Sequence, residues 1–303
     1  MIWRQRSPRG AEESSGGMAA RTVCFGALLG VTLAAFWVPL TTLMRLSIER
    51  ELYSYIVVIP LISAALVILE RERIFAHAET CWPGGVALLS AGALVYAFGR
   101  THPDSASEND KLSIAIFSLV VVWLGGFVLV YGIRAVRMGL FPVFFLFLMV
   151  PTPDFVLEGA TGGLQTASAD VSHLLFGLLG VPVLRTGFVF SLPGITIEIA
   201  KECSGIRSST ALLILSLLIG HLFLRAAWTK AVLTLASLPL LIVKNGLRIV
   251  TLSLLSVYVD PRFLTGRLHQ QGGIVFFLLA LVLLAFVLGL LQKSERGMRA
   301  KTV

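Results

Sequence analysis

Apolar residues run in long blocks separated by short polar breaks. A bilayer core about 30 Å thick needs about 20 such residues at about 1.5 Å of helical rise each. On that measure the blocks at 23–43, 54–69, 86–99, 112–132, 138–150, 208–224, 231–257 and 272–291 predict about eight transmembrane helices. The third and fifth are short and borrow flanking residues. The longest break, 151–207, has internal order. Leu157, Ala160, Leu164, Ala167, Val171, Leu174 and Leu178 recur at spacings of 3 and 4, which marks one helical face. Glu158, Thr161, Gln165, Ser168 and Ser172 fall elsewhere on the wheel, so an amphipathic helix on the outer leaflet is expected. Phe188–Leu192 and Ile195–Ile199 flank Pro193-Gly194, which predicts a small β-hairpin before Cys203.

The fold class is thus an all-α polytopic membrane protein. Its expected layout is a disordered cytoplasmic tail over 1–22, including the Ser-Gly-rich piece Glu12–Gly17, a single multispan domain over 23–292, and a basic cytoplasmic tail over 293–303. Composition agrees. Only 14% of the residues are charged and 56% are hydrophobic, with mean hydropathy +0.86. A soluble domain carries about 25% charged residues, so lipid is the solvent that suits this chain. The first apolar block follows Arg4, Arg6, Arg9 and Arg21 in the manner of a signal peptide. It continues to Leu43 without a clear small-residue cleavage site and reads as a retained span.

The net charge of +8 could suggest a nucleic-acid partner, but the basic residues sit in the breaks between spans, with no aromatic-basic patch. Their distribution sets the topology instead. With the N-terminus inside, 14 of the 25 Lys and Arg fall on the cytoplasmic side and 9 outside; Lys244 and Arg248 lie within the seventh span.

Those two residues need a reason, because a central cation is costly in a span. They are four apart on one helical face with Asn245 beside them. Arg248 is too far from the outer end to snorkel easily, which points to a polar, water-accessible cavity. The three cysteines, Cys24, Cys81 and Cys203, lie far apart without a CxxC, so neither a metal site nor a disulfide framework is expected; no cofactor is expected either. Cys203 stands out. Lys201 and Arg207 flank it, Ser208, Ser209 and Thr210 can cap the helix that follows, and Gly205 permits a tight turn. A helix N-terminus and nearby cations both favour thiolate. Of the five histidines, His77 and His221 fall on the cytoplasmic side, while His102, His173 and His269 remain as candidate bases.

Glu202-Cys203-Ser204-Gly205-Ile206-Arg207 resembles the cysteine motif of the exosortase/archaeosortase family. Asn245-Gly246-Leu247-Arg248-Ile249 resembles its Asn-x-x-Arg motif, and Leu268-His269-Gln270-Gln271-Gly272-Gly273 its histidine motif. Their order matches, and Phe141-Pro142 through Met149-Val150-Pro151-Thr152-Pro153 is similar to the family's apolar run ending in a proline pair. Ser54-Tyr55 departs from a Ser-His pair often found there. The resemblance, from about residue 50 to 290, implies a membrane-embedded cysteine transpeptidase in the bacterial inner membrane with its site facing outward. Its partners would be protein substrates with a C-terminal sorting signal, made of a short motif such as Pro-Glu-Pro, a hydrophobic span and a basic tail; the acceptor nucleophile is left open. It implies Cys203, Arg248 and His269 as catalytic residues, with Glu202, Ser204, Asn245 and Arg207 supporting them. The competing reading is a transporter or lipid- or polysaccharide-export protein in which Arg248 and Lys244 bind an anionic ligand.

The charge bias predicts that the C-terminus and the Arg134–Arg137 loop face the cytoplasm. A reporter active only outside the cytoplasm, fused after Lys301, should stay silent; strong activity there would overturn the topology.

Overall fold

The computed structural model describes residues 8–101, 107–263 and 273–300. Its helices follow in the order α1 (Pro8–Ala35), α2 (Trp37–Glu49), α3 (Val58–Leu69), α4 (Arg71–Ile74), α5 (Trp82–Thr101), α6 (Glu108–Met138), α7 (Leu140–Phe145), α8 (Asp154–Leu178), α9 (Ile206–Phe223), α10 (Ala227–Tyr258) and α11 (Gly273–Ala300). Between α8 and α9 lie β1 (Leu184–Thr186), β2 (Val189–Leu192) and β3 (Ile195–Glu198), one antiparallel sheet in that order. Among the described residues, seven helices are long and apolar enough to cross a membrane, or up to eight if Leu140–Met149 and Asp154–Leu178 make one broken span. The protein is therefore an all-α polytopic membrane protein. Exposed Ile274, Val275, Leu278, Val282 and Phe286 on α11 show what its outer surface is made for.

Several elements differ in detail from the sequence reading. The first helix begins at Pro8 and breaks at Phe36 instead of running on to Leu43. The short fifth block is a helix of six residues followed by a 3-10 turn, stopped by Pro151-Thr152-Pro153. The hairpin has the expected Pro193-Gly194 turn, with Leu192 paired to Ile195. Proline holds φ near about −65°, and Gly194 takes φ +80°, the combination of a type II turn. The third strand, β1, was not expected: Gly187 at φ +63° turns the chain back between Thr186 and Val189.

The chain divides into two compact units, Met1–Asp154 and Phe155–Val303. In the first, α5 and α6 form a glycine seam. A Cβ on Gly85 would stand 2.5 Å from Leu129 Cβ, one on Gly92 2.7 Å from Val122 Cγ2, and one on Gly99 2.7 Å from Ile114 Cγ2. Gly125 answers from α6, 2.8 Å from Leu89 N. Without a hydrophobic drive between helices in lipid, such close backbone approach supplies the attraction. Phe25, Phe75, Phe127 and Tyr131 fill the space beside it with ring centroids 4.6–6.1 Å apart. Polar side chains here are paired: Trp123 Nε1 donates to Thr32 Oγ1 at 2.8 Å and Ser63 Oγ to the Pro142 carbonyl at 2.7 Å. At the start of α6, Asn109 Nδ2 donates to Thr152 O and to Asp154 Oδ1, each at 2.8 Å, which anchors the proline pair.

In the second unit, Leu212, Leu224, Leu233, Leu241, Ala280, Leu284 and Leu291 pack α9, α10 and α11 together. Glu295 of α11 accepts from the Ala226 N–H at 2.9 Å and from Thr229 Oγ1 at 2.6 Å, capping the start of α10. A second cluster, Ala169, Phe176, Phe190, Leu192, Ile199 and Val250, binds the sheet to α8 and α10.

The seam makes a prediction. Gly85→Leu meets backbone and should cost about 1–3 kcal/mol by overpacking, read as a lower unfolding midpoint in detergent. Gly159→Leu, with nothing within 4 Å, should be close to neutral. Equal midpoints would show that α5 and α6 do not approach this closely.

Candidate active site

The site is built where three segments of the second unit meet. Ile199 ends the sheet, its N–H bonded to Phe188 O at 3.0 Å. Gln165 of α8 donates to the Ile199 carbonyl at 2.5 Å, pinning the exit strand. After extended Ala200, residues Lys201–Ser204 make one 3-10 turn, and Gly205 at φ +78° redirects the chain into α9. Cys203 is thus carried on a tight turn directly before a helix N-terminus. Ser204, at the end of the turn, is buried.

Two demands make residue 205 a glycine. The left-handed conformation disfavours any Cβ. A Cβ there would also lie 2.9 Å from Asn245 Oδ1. Asn245 itself is 1% exposed, and its Nδ2 donates to Ser168 Oγ of α8 at 3.0 Å. One amide therefore touches α8, α10 and the cysteine turn. The next residue, Gly246, lets α8 in: a Cβ there would stand 2.6 Å from Val171 Cγ1. Ser172 Oγ donates to Ser168 O at 2.7 Å, and the Gly246 carbonyl lies 3.5 Å from the same hydroxyl.

The register of α9 and α10 then places Arg248. Gly220 packs on Lys230 and Leu233, while Lys244 Nζ donates to Ser208 Oγ, so the two helices run antiparallel. Gly205 is level with Asn245. Arg248 lies three residues farther along α10, roughly 4.5 Å of rise, which brings it level with the Lys201–Ser204 turn. Arg248 is half-buried and Arg207 exposed.

The expected set is therefore brought together in part. The cysteine turn, Ser204, Asn245 and the Arg248 level of α10 belong to one neighbourhood. His269 and His102 lie outside the described residues. His173 is exposed on α8, its ring 6.4 Å from that of Phe190. His221 sits in the last turn of α9, at the far end from Cys203.

Three expectations change. The serines after Cys203 do not cap α9: its N-cap, Gly205, offers no side-chain bond, and the Ser208 hydroxyl donates to the Gly205 carbonyl at 3.0 Å. The polar residues of α8 divide between two environments: Glu158 and Asp170 are exposed. Gln165, Ser168 and Ser172 are buried against α10 and the sheet exit, while Leu174 and Leu178 of the apolar stripe are exposed. Lys244 neither snorkels nor lines open solvent; it is 5% exposed. Gln165, Ser168, Ser172, Ser208 and Gly246 thus build the site, a role that the sequence reading, which placed the first three on a polar face and Ser208 in a cap, did not give them. The signal was present as small and polar residues at helical spacing within an otherwise apolar chain.

The Gly205–Asn245 contact is testable by a double-mutant cycle. Gly205→Ala should cost more than the roughly 1–2 kcal/mol of left-handed strain alone in the parent, and fall to about that value in an Asn245→Ala background. The same cost in both backgrounds, measured by chemical unfolding in detergent, would show that the two residues do not touch.

No curated protein and no solved structure matches the chain. Residues 47–286, which contain every segment of this site, match the family described as transmembrane exosortase. The motif order and the packed neighbourhood of the cysteine turn and α10 agree with that match, and the chain belongs to the transmembrane exosortase family.

Proposed function

We propose that this exosortase is a cysteine transpeptidase that cleaves a C-terminal sorting signal of exported proteins at the outer face of the bacterial inner membrane. The observation that carries the reading is the seating of Gly205 on Asn245, which joins the Cys203 turn to the helix bearing Arg248. Family membership supports a membrane transpeptidase role in sorting.

In this reading the Cys203 thiolate adds to the scissile carbonyl carbon. The carbonyl oxygen gains negative charge, which Arg248 meets as a fixed cation in a low-dielectric setting. The tetrahedral species collapses, the C–N bond breaks, and His269 protonates the departing amine. A thioester to Cys203 remains. An acceptor nucleophile gives its proton to His269 and attacks the thioester, and the C–S bond breaks to return the thiolate. The start of α9, with Gly205 at its N-cap, adds its dipole to the stabilisation of negative charge at Cys203. Asn245 and Ser204 hold the turn, with Glu202 and Arg207 beside them. The substrate's apolar span lies in the bilayer and its basic tail on the cytoplasmic side, which matches the Lys and Arg bias of the enzyme itself.

Co-expression with a protein bearing a C-terminal sorting span tests this by mass. The parent should release a shortened product or one joined to an acceptor. Cys203→Ala should leave the substrate whole. Arg248→Lys keeps the charge but loses the planar fork. It should stay inserted and process at least about tenfold more slowly, or about 1.4 kcal/mol of transition-state stabilisation. Processing by Cys203→Ala would remove the nucleophile assignment, and near-parental rates for Arg248→Lys would remove the oxyanion role.

A further inference from the structure

The reaction above leaves Lys244 without a task. It sits within the apolar helix α10, 5% exposed, where an ammonium is unfavourable and conventionally marks function. The ion pairs Lys111–Glu108, Arg134–Glu79 and Arg185–Asp170 lie elsewhere. Its hydrogen bond goes to a hydroxyl, Ser208 Oγ. That hydroxyl donates in turn to the Gly205 carbonyl at 3.0 Å, an oxygen that also receives the Ser209 N–H at 2.9 Å. An ammonium inside α10 therefore reaches, through one side chain, the residue that closes the cysteine turn. A hydroxyl that accepts from a cation is polarised into a stronger donor. The neighbouring residue in sequence, Asn245, meets Gly205 from its own side chain. Two consecutive residues of α10 thus hold one glycine, by an amide contact and by a charged relay.

We infer that Lys244 is a positioning residue for Cys203, clamping the cysteine turn through Ser208 and the Gly205 carbonyl so that it stays in register with Arg248. This rests on Cys203 being the reactive residue. A lysine kept for stability and one kept for positioning respond oppositely to replacement. Methionine has a similar length and no charge. If Lys244 were structural, Lys244→Met would lower the melting temperature. If Lys244 burdens the fold in order to hold the turn, removing its buried charge should leave stability intact or raise it while the turn loses its clamp. A fixed cation and an ordered helix start favour thiolate, so Cys203 should also become less reactive.

The test uses the full-length protein with Cys24→Ser and Cys81→Ser, carrying Lys244→Met, Ser208→Ala, or both. Three quantities are read: melting temperature in detergent, the rate of Cys203 alkylation by a maleimide at one pH, and kcat and KM for a sorting-signal substrate in proteoliposomes. The expected result for Lys244→Met is a melting temperature no lower than the parent's. Alkylation should be at least fivefold slower, and kcat at least tenfold lower with KM within twofold. Ser208→Ala should slow alkylation likewise, and the double variant should be no slower than the worse single one. If Lys244→Met does not fold, Ser208→Ala carries the test alone. Parental alkylation in either folded variant, or a lowered melting temperature with unchanged alkylation, overturns the proposal. If even the parent processes nothing while the alkylation pattern holds, the transpeptidase reading falls and the clamp stands.

Discussion

The contact between Gly205 and the Asn245 amide governs the second unit of this protein. A helix start inside a membrane protein has N–H groups to satisfy and a turn to make before it. Here the turn takes a left-handed residue, and the space a side chain would fill is occupied by Asn245. Because that amide also bonds Ser168, the placement of α8 is part of the same arrangement. Gly246 then allows α8 to approach α10 closely enough for the bond to form. Moving any one of these segments would disturb the other two.

The same logic explains why so much of the interior is small or hydroxylic. Leu against Leu gives little net attraction in lipid, since the tails are as apolar as the side chains. Specific contact comes from backbone approach and from hydrogen bonds between helices. The first unit uses approach, through Gly85, Gly92, Gly99 and Gly125 along α5 and α6. The second adds hydrogen bonds, through Gln165, Ser168, Ser172, Ser208, Lys244 and Asn245. Some large apolar residues are turned outward, among them Leu174, Leu178 and the outer face of α11, while Phe176, Phe190, Leu212 and Leu233 fill the interior. In water these preferences would be inverted, which is why a wheel that looks amphipathic for an interface buries its polar stripe in protein.

Chemistry follows from that architecture. A thiol on a mobile loop would depend on chance encounters with its partners. The Lys201–Ser204 turn is instead bounded by the sheet exit, held at Ile199 by Gln165, and by the start of α9, held at Gly205. The turn is fixed at both ends while Cys203 lies between them. In the proposed reaction, rigid support of this kind lets the thiolate and the Arg248 cation act as one unit.

How much of this was legible in the chain depends on whether a feature is local. The number and approximate extent of the spans, the Pro193-Gly194 hairpin, and Cys203 with Arg248 as residues needing an explanation all follow from hydrophobic length, turn chemistry and the cost of charge in lipid. Each is a property of a short stretch and its solvent. The fate of the polar face of α8, the partner of Lys244, the absence of a serine cap on α9 and the glycine seam of α5 and α6 could not be read that way. Serine hydroxyls can cap, back-bond or accept, and a glycine can mark a turn or a close approach. Those choices are near-degenerate for an isolated segment. Only the packing of one helix on another, which decides what stands opposite each small or polar residue, separates them.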